Sequence, residues 1–139
     1  MRKYIIASHG RFAEGIYESV VMIIGKQDNV QILNCYTDGT DTKLLIENAM
    51  ASISDEDEVV VVTDIFGGSV NNEFMKYLGR PNFHLIAGMN LPLLIQLFLS
   101  QNENTEEMIK EILSDGGANP KYCNEIQESV SYAKKDDDF

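Results

Sequence analysis

Val59-Val60-Val61-Val62-Thr63-Asp64-Ile65-Phe66-Gly67-Gly68-Ser69 is the stretch from which the fold is read. Its first five side chains are all β-branched, which stiffens them at χ1 and favours extended backbone. The valines do not alternate with polar residues, so the strand is expected to be covered on both faces, as in a parallel sheet between helix layers. Gly67-Gly68 breaks the run, and Val70, Phe74 and Leu78 follow at a spacing of four, the signature of one helix face. A buried strand, a glycine turn and an amphipathic helix make one half of a βαβ unit.

The same rhythm extends outward in both directions. Upstream, residues 4–7 read as a strand and residues 12–24 as a helix with Phe12, Ile16, Val20 and Ile24 inward, ended by Gly25. A second strand covers 30–36. A helix over 41–53 has Leu45, Ala49 and Ile53 on its core side, with Thr40 or Asp41 as cap. The acidic stretch 55–58 is a loop. Downstream, Pro81-Asn82 turns the chain into a fourth strand over 83–87. Helices follow over 91–99, with Pro92 in the first turn, and over 105–113, with Thr105 as cap and Glu106 and Glu107 favourably near the N-terminus. Gly116-Gly117 and Pro120 break the last of these. Residues 125–133 read as a final helix and 134–139 as a frayed, charged tail. The predicted fold is α/β: one domain over residues 1–139, with an open sheet of four parallel strands in the order 2-1-3-4 and helices on both faces.

Composition narrows the function classes. The 139 residues carry 11 Lys and Arg against 22 Asp and Glu, a net charge of −11. No surplus of cations exists to neutralise a phosphate backbone or an anionic membrane, so neither nucleic acid nor lipid is an expected partner. The apolar runs fall far short of the roughly 20 residues of a spanning helix. Residues 4–7 are too short for the apolar part of a secretion signal. Cys35 and Cys123 form no Cys-x-x-Cys pair, and both are expected to be structural thiols of a reducing cytoplasm. No spacing of Cys, His and carboxylates suggests a metal site, and no cofactor motif is present: Gly67-Gly68-Ser69 is neither a Walker A loop nor Gly-x-Gly-x-x-Gly, and Gly25-Lys26 lacks the rest of a P-loop.

In an open α/β sheet, ligands bind beyond the carboxyl ends of the strands. Three such junctions carry chemistry: Ser8-His9-Gly10, Asp64 through Ser69, and Gly88-Met89-Asn90-Leu91-Pro92. With strands one and three adjacent, their ends lie about 5 Å apart, and His9 and Asp64 fall within reach of each other. A carboxylate accepting the Nδ1 proton would fix the imidazole tautomer and present Nε2 as a nucleophile. Asp64 is equally readable as a strand-end Asp bonding local amides. Gly10 lets a ligand approach closely. Gly67, Gly68 and Ser69, opening a helix, fit an anion cradle, or else a plain tight turn with Ser69 as helix cap. Arg11 has two readings, a phosphate or partner contact and a solvated helix start. Asn90 is read first as a turn residue and second as a bond to the His9 loop. His84, inside the fourth strand, is a packed or edge histidine. One nucleophile, one orienting carboxylate and one anion cradle together describe a histidine that receives a phosphoryl group.

Residues 8–15 (Ser-His-Gly-Arg-Phe-Ala-Glu-Gly), 64–69 (Asp-Ile-Phe-Gly-Gly-Ser) and 87–94 (Ala-Gly-Met-Asn-Leu-Pro-Leu-Leu) resemble the three signature stretches of a known family. This is the EIIA component of the mannose/fructose/sorbose family of the bacterial phosphoenolpyruvate-dependent sugar phosphotransferase system (PTS). The likeness runs from residue 1 to about residue 100. It implies a phosphotransferase component in which His9 is the phosphorylated residue, Asp64 orients it, and Ser69 with the turn at Gly68 holds the phosphoryl group. Gly10 belongs to the same pocket, and Arg11, Phe66 and Asn90 are expected at the partner-docking surface. The resemblance further implies HPr as donor, EIIB as acceptor, a membrane permease (EIIC and EIID) served indirectly, no metal or other cofactor, and a cytoplasmic location. It also implies a homodimer in which a C-terminal segment adds an exchanged strand. The chain has Val70-Asn71-Asn72 where many members have Pro-Phe-Asn. Two rival readings are the phosphotransfer subunit of a dihydroxyacetone kinase system and a flavodoxin-like module that binds a phosphate-bearing ligand without transferring it.

Overall fold

β3 (Glu58–Thr63) is an inner strand of a four-stranded, all-parallel sheet ordered β2-β1-β3-β4. The architecture comes from a computed structural model and is described for residues 1–126. The other strands are β1 (Arg2–His9), β2 (Val30–Cys35) and β4 (Phe83–Ala87). The helices are α1 (Phe12–Ile24), α2 (Thr42–Ala51), α3 (Ser69–Met75), α4 (Leu91–Leu99) and α5 (Thr105–Asp115), and a 3₁₀ turn, Cys123–Glu125, follows. The predicted α/β class and strand order are thus observed. The predicted final helix and charged tail lie largely or wholly outside the described residues.

The unbroken run of valines is explained by its two-sided burial. Val60 and Val62 face one core with Tyr4, Ile6, Val20, Leu93, Leu94, Leu97 and Met108, which α1, α4 and α5 cover. Val59 and Val61 face the other with Ile5, Ala7, Leu33, Ile46, Met50, Val70 and Phe74, which α2 and α3 cover. All four valines are wholly inaccessible to solvent. Each fully buried side chain of this size stabilises the fold by roughly 1.5–3 kcal/mol.

Four local expectations are corrected. The third helix stops at Met75 rather than running on to Leu78. The amides of Lys76, Tyr77 and Leu78 bond back to Glu73, Phe74 and Met75, so the chain tightens into i→i−3 turns. That rotation exposes Leu78 and puts Tyr77 against the core. Phe12 is half exposed, because it lies in the first turn of α1 at the rim of the sheet, and Ala13 is the buried residue there. The cap of α5 is Asn104, whose side chain accepts from the Glu107 amide at 3.0 Å, not Thr105. Cys123 is exposed, unlike the buried Cys35, so only Cys35 serves as a core thiol. Asp41 caps α2, as one of the two expected candidates.

Register places the strand ends. Ala7 pairs with Thr63, and His9 with Cys35. The chain therefore leaves β1, β2 and β3 at one common rim, where α1, α2 and α3 also begin.

Candidate functional site

The rim is organised by short-range backbone requirements. Ser8, buried at the end of β1, accepts from the Ala13 amide at 2.7 Å through Oγ and donates to the Gly10 carbonyl at 3.2 Å. The turn between them passes through Gly10 at φ +61°, where glycine carries no steric penalty, and its amide donates to the Cys35 carbonyl at 2.8 Å. This turn holds His9 outward at the lip of the sheet.

Asp64, one residue beyond β3, reaches the same point. Its Oδ2 accepts from the His9 amide at 2.7 Å and meets His9 Nδ1 at 2.8 Å, while Oδ1 accepts from the Ile65 amide at 3.0 Å. Burial pushes this carboxyl upward. The His9 amide and ring and the Ile65 amide outweigh it, so the group is held below its ordinary value. An ionised carboxylate only accepts, so in the neutral imidazole Nδ1 carries the ring proton and Nε2 keeps its lone pair. On the far side of the ring, Ser69 Oγ lies 3.3 Å from Nε2. The cap of α3 is Gly68, not Ser69, which leaves the serine hydroxyl free to face the histidine. A methyl group on Gly68 would stand 3.0 Å from Ile65 Cγ1 and 3.3 Å from His9 Cε1; the glycine is what lets the turn close on the ring.

His9, Gly10, Asp64, Gly68 and Ser69 are therefore brought together. Around them, Phe66 is 82% exposed and Ile65 is 56% exposed, a lip of apolar surface. Arg11 pairs with Glu14 at 3.1 Å and with Asp38 at 3.8 Å. Asn90 is occupied elsewhere: Oδ1 caps α4 at the Leu93 amide, 2.9 Å, and Nδ2 donates to the Ala118 carbonyl, 2.9 Å. His84 meets Glu58 at 2.9 Å near the opposite end of the sheet. Among the described residues no three His, Cys, Asp or Glu side chains converge to hold a metal ion. No described helix is long and apolar enough to cross a membrane.

Two contributors to the site were missed in the sequence. Tyr36 stacks on His9, with ring centroids 5.4 Å apart and planes 26° from parallel, and its hydroxyl donates to Ser69 Oγ at 2.7 Å. Asn71, buried, accepts from the Thr63 hydroxyl at 2.8 Å and ties α3 to the end of β3. The turn-forming run Thr37-Asp38-Gly39 after Tyr36 was a usable signal for the first; nothing in the sequence pattern singled out the second.

Fold and site together define an open α/β protein with a histidine–carboxylate pair at the strand ends of its topological switch point. The family can be stated as well. The model for "PTS system fructose IIA component" matches residues 3–113, and the chain belongs to this mannose/fructose family of PTS EIIA components, which makes it a phosphotransferase component of a sugar PTS. It is 29% identical over 141 residues to the fructose-specific EIIA component of Bacillus subtilis, covering 98% of this chain and 96% of that one. It is 27% identical over 104 residues to the mannose-specific EIIAB component of Escherichia coli K12; that match covers 72% of this chain and only 32% of the relative. Among solved structures, a Klebsiella pneumoniae protein described as a sugar PTS permease superposes with a TM-score of 0.85 at 47% identity, over 89% of this chain and 92% of that one.

Proposed function

We propose that this chain is a phosphocarrier that takes a phosphoryl group from phospho-HPr on His9 and passes it to a cognate EIIB, in the cytoplasm beside a sugar permease. The observation that carries the reading is the 2.8 Å contact of His9 Nδ1 with Asp64, which in the neutral imidazole directs the free lone pair to Nε2 at the rim of the sheet. The Nε2 lone pair attacks phosphorus, the phosphorus–nitrogen bond of the donor breaks, and its electron pair returns to the donor's imidazole. Nε2 carries no proton to shed. Positive charge grows on the His9 ring as the new bond forms, and the Asp64 carboxylate stabilises it through the Nδ1 proton. The Ser69 hydroxyl and the backbone at Gly68 and Gly10 are suited to the phosphoryl oxygens. In-line placement of two nitrogens about a loose transition state accounts for the chemistry without a metal.

Partner docking fits the exposed apolar side chains of Ile65 and Phe66 beside the nucleophile, with Arg11 as a charged neighbour, and Asn90 acts on this surface only by holding the start of α4. The homodimer belongs to the same reading and is supported by β4, which among the described residues lies at an edge of the sheet, the kind of strand that can pair with another chain.

Incubation with labelled phosphoenolpyruvate, Enzyme I and HPr, followed by assay of acid-labile label, tests the proposal. Label is expected on the wild type and absent from His9→Ala. Equal labelling of both proteins overturns it.

A further inference from the structure

Tyr36 follows β2 directly, at φ +64°, a left-handed conformation that bulky residues rarely enter. The backbone there is held by its surroundings: the Tyr36 amide donates to Thr42 Oγ1 at 3.3 Å, and the Thr37 hydroxyl donates to the Asn34 carbonyl at 2.8 Å. A strained position that the fold holds in place is a reason to ask what its side chain does. This one lies over the His9 ring and donates to Ser69 Oγ at 2.7 Å.

The direction of the hydrogens can be worked out from the Asp64 end. In the neutral ring Nδ1–H donates to Asp64, so Nε2 is an acceptor, and the Ser69 hydroxyl, 3.3 Å away, is its donor. Ser69 has then spent its one hydrogen, and the Tyr36 hydroxyl fills an acceptor site on the same oxygen. The hydrogen bonds run one way, Tyr36 to Ser69 to Nε2.

We propose that Tyr36 is a positioning residue of the phosphoryl site: it anchors the Ser69 oxygen so that the serine hydrogen can swing from Nε2 in the resting protein to a phosphoryl oxygen in the phosphorylated one. The proposal rests on the phosphocarrier reading of His9. When the Nε2–phosphorus bond forms with the ring's lone pair, the donor's nitrogen–phosphorus bond breaks and that electron pair returns to the donor. The Ser69 hydrogen, displaced from Nε2, turns to the phosphoryl group without changing owner. Tyr36 donates to the same oxygen before and after. Without that anchor the serine hydroxyl spreads over its staggered rotamers. The aromatic face also sits where positive charge grows on the imidazole, a favourable arrangement.

The test is a double-mutant cycle on full-length protein, with phospho-HPr as donor and the rate of His9 labelling as readout. Tyr36→Phe keeps the ring and loses the hydroxyl; transfer is expected to slow about fivefold, the effect of one neutral hydrogen bond, at unchanged Tm. Because Tyr36 acts through Ser69, Tyr36→Phe added to Ser69→Ala is expected to slow transfer no further. A wild-type rate in Tyr36→Phe overturns the proposal, and so does full additivity, which would make Tyr36 a docking residue independent of Ser69. A second measurement needs no phosphotransfer. In ring-¹⁵N spectra of the unphosphorylated protein, Tyr36→Phe is expected to move the His9 Nε2 resonance and leave Nδ1 in place, and an unmoved Nε2 overturns the anchor. An unlabelled His9 in the wild type would instead sink the phosphocarrier reading, and the two failures are separable.

Discussion

Glu58 opens β3 and Asp64 follows its end, and each carboxylate holds a histidine from a neighbouring strand. Asp64 binds His9 of β1 at 2.8 Å; Glu58 binds His84 of β4 at 2.9 Å. The pairs lie about 20 Å apart along one strand, six residues at roughly 3.3 Å each. Their chemistry is nearly the same and their settings are not. Asp64 is bonded through Nδ1, which turns Nε2 outward against Ser69, Tyr36 and the glycine turn. Glu58 is bonded through Nε2 on an edge strand, at the end of the sheet where the strands begin. The carboxyl rim differs because chains leave strands there and enter helices, which brings loop hydroxyls, close-packed glycine and helix-start amides to one spot. A histidine–carboxylate pair is therefore a candidate site only where the topology supplies its surroundings.

The comparison can be broken most decisively by swapping the loss. His9→Ala is expected to abolish acid-labile phosphorylation, while His84→Ala keeps it; label lost from the second and not the first would reverse the assignment. Next come the carboxylates. Asp64→Asn can offer its amide to Nδ1 and favour the wrong tautomer, so transfer should fall by about 10²-fold or more in a single-turnover assay, whereas Glu58→Gln stays within about twofold. Gly68→Ala sharpens the point about surroundings. Its φ of −74° tolerates alanine, but the new methyl presses on His9 Cε1 and Ile65. A loss of roughly tenfold in transfer is expected from the displaced ring, with little change in Tm.

The smallest effect is a pH dependence of stability. The Asp64 carboxyl titrates lower in the folded chain than in the unfolded one, so its contribution is fully present above the unfolded value of about 3.9 and is lost as pH falls through the folded one. Denaturant melts should show Asp64→Asn less stable than wild type at pH 7 and the difference shrinking below about pH 4. A gap that stays constant down to pH 2 would mean that ionisation of Asp64 does not support the fold.

Much of the architecture was legible because β-branched runs and four-residue apolar spacing are local signals. β4 and α4 fall on the residues read for them. Errors cluster where packing overrides pattern. Leu78 continues the apolar spacing of α3, yet the helix had already tightened into a turn. Thr105 looks like a cap, but Asn104 has the extended backbone and the reach to the Glu107 amide. Tyr36 read as the last residue of its strand, since nothing in a tyrosine announces a left-handed backbone. Asn90, in a signature stretch, spends its amide on the start of α4 and on Ala118.

By itself the sequence determined the α/β alternation, the double-sided burial of 59–62 and the family, and it named His9 and Asp64 as a pair within reach of each other, because propensity, periodicity and motif order are properties of neighbours along the chain. Only the tertiary structure decided which imidazole nitrogen Asp64 takes, that Ser69 faces the ring instead of capping its helix, and that a tyrosine from a third strand end closes over both. Those are relations between residues 27 and 55 positions apart (Tyr36 against His9, Asp64 against His9), set by parallel register to within ångströms, and such distances are written in no local stretch.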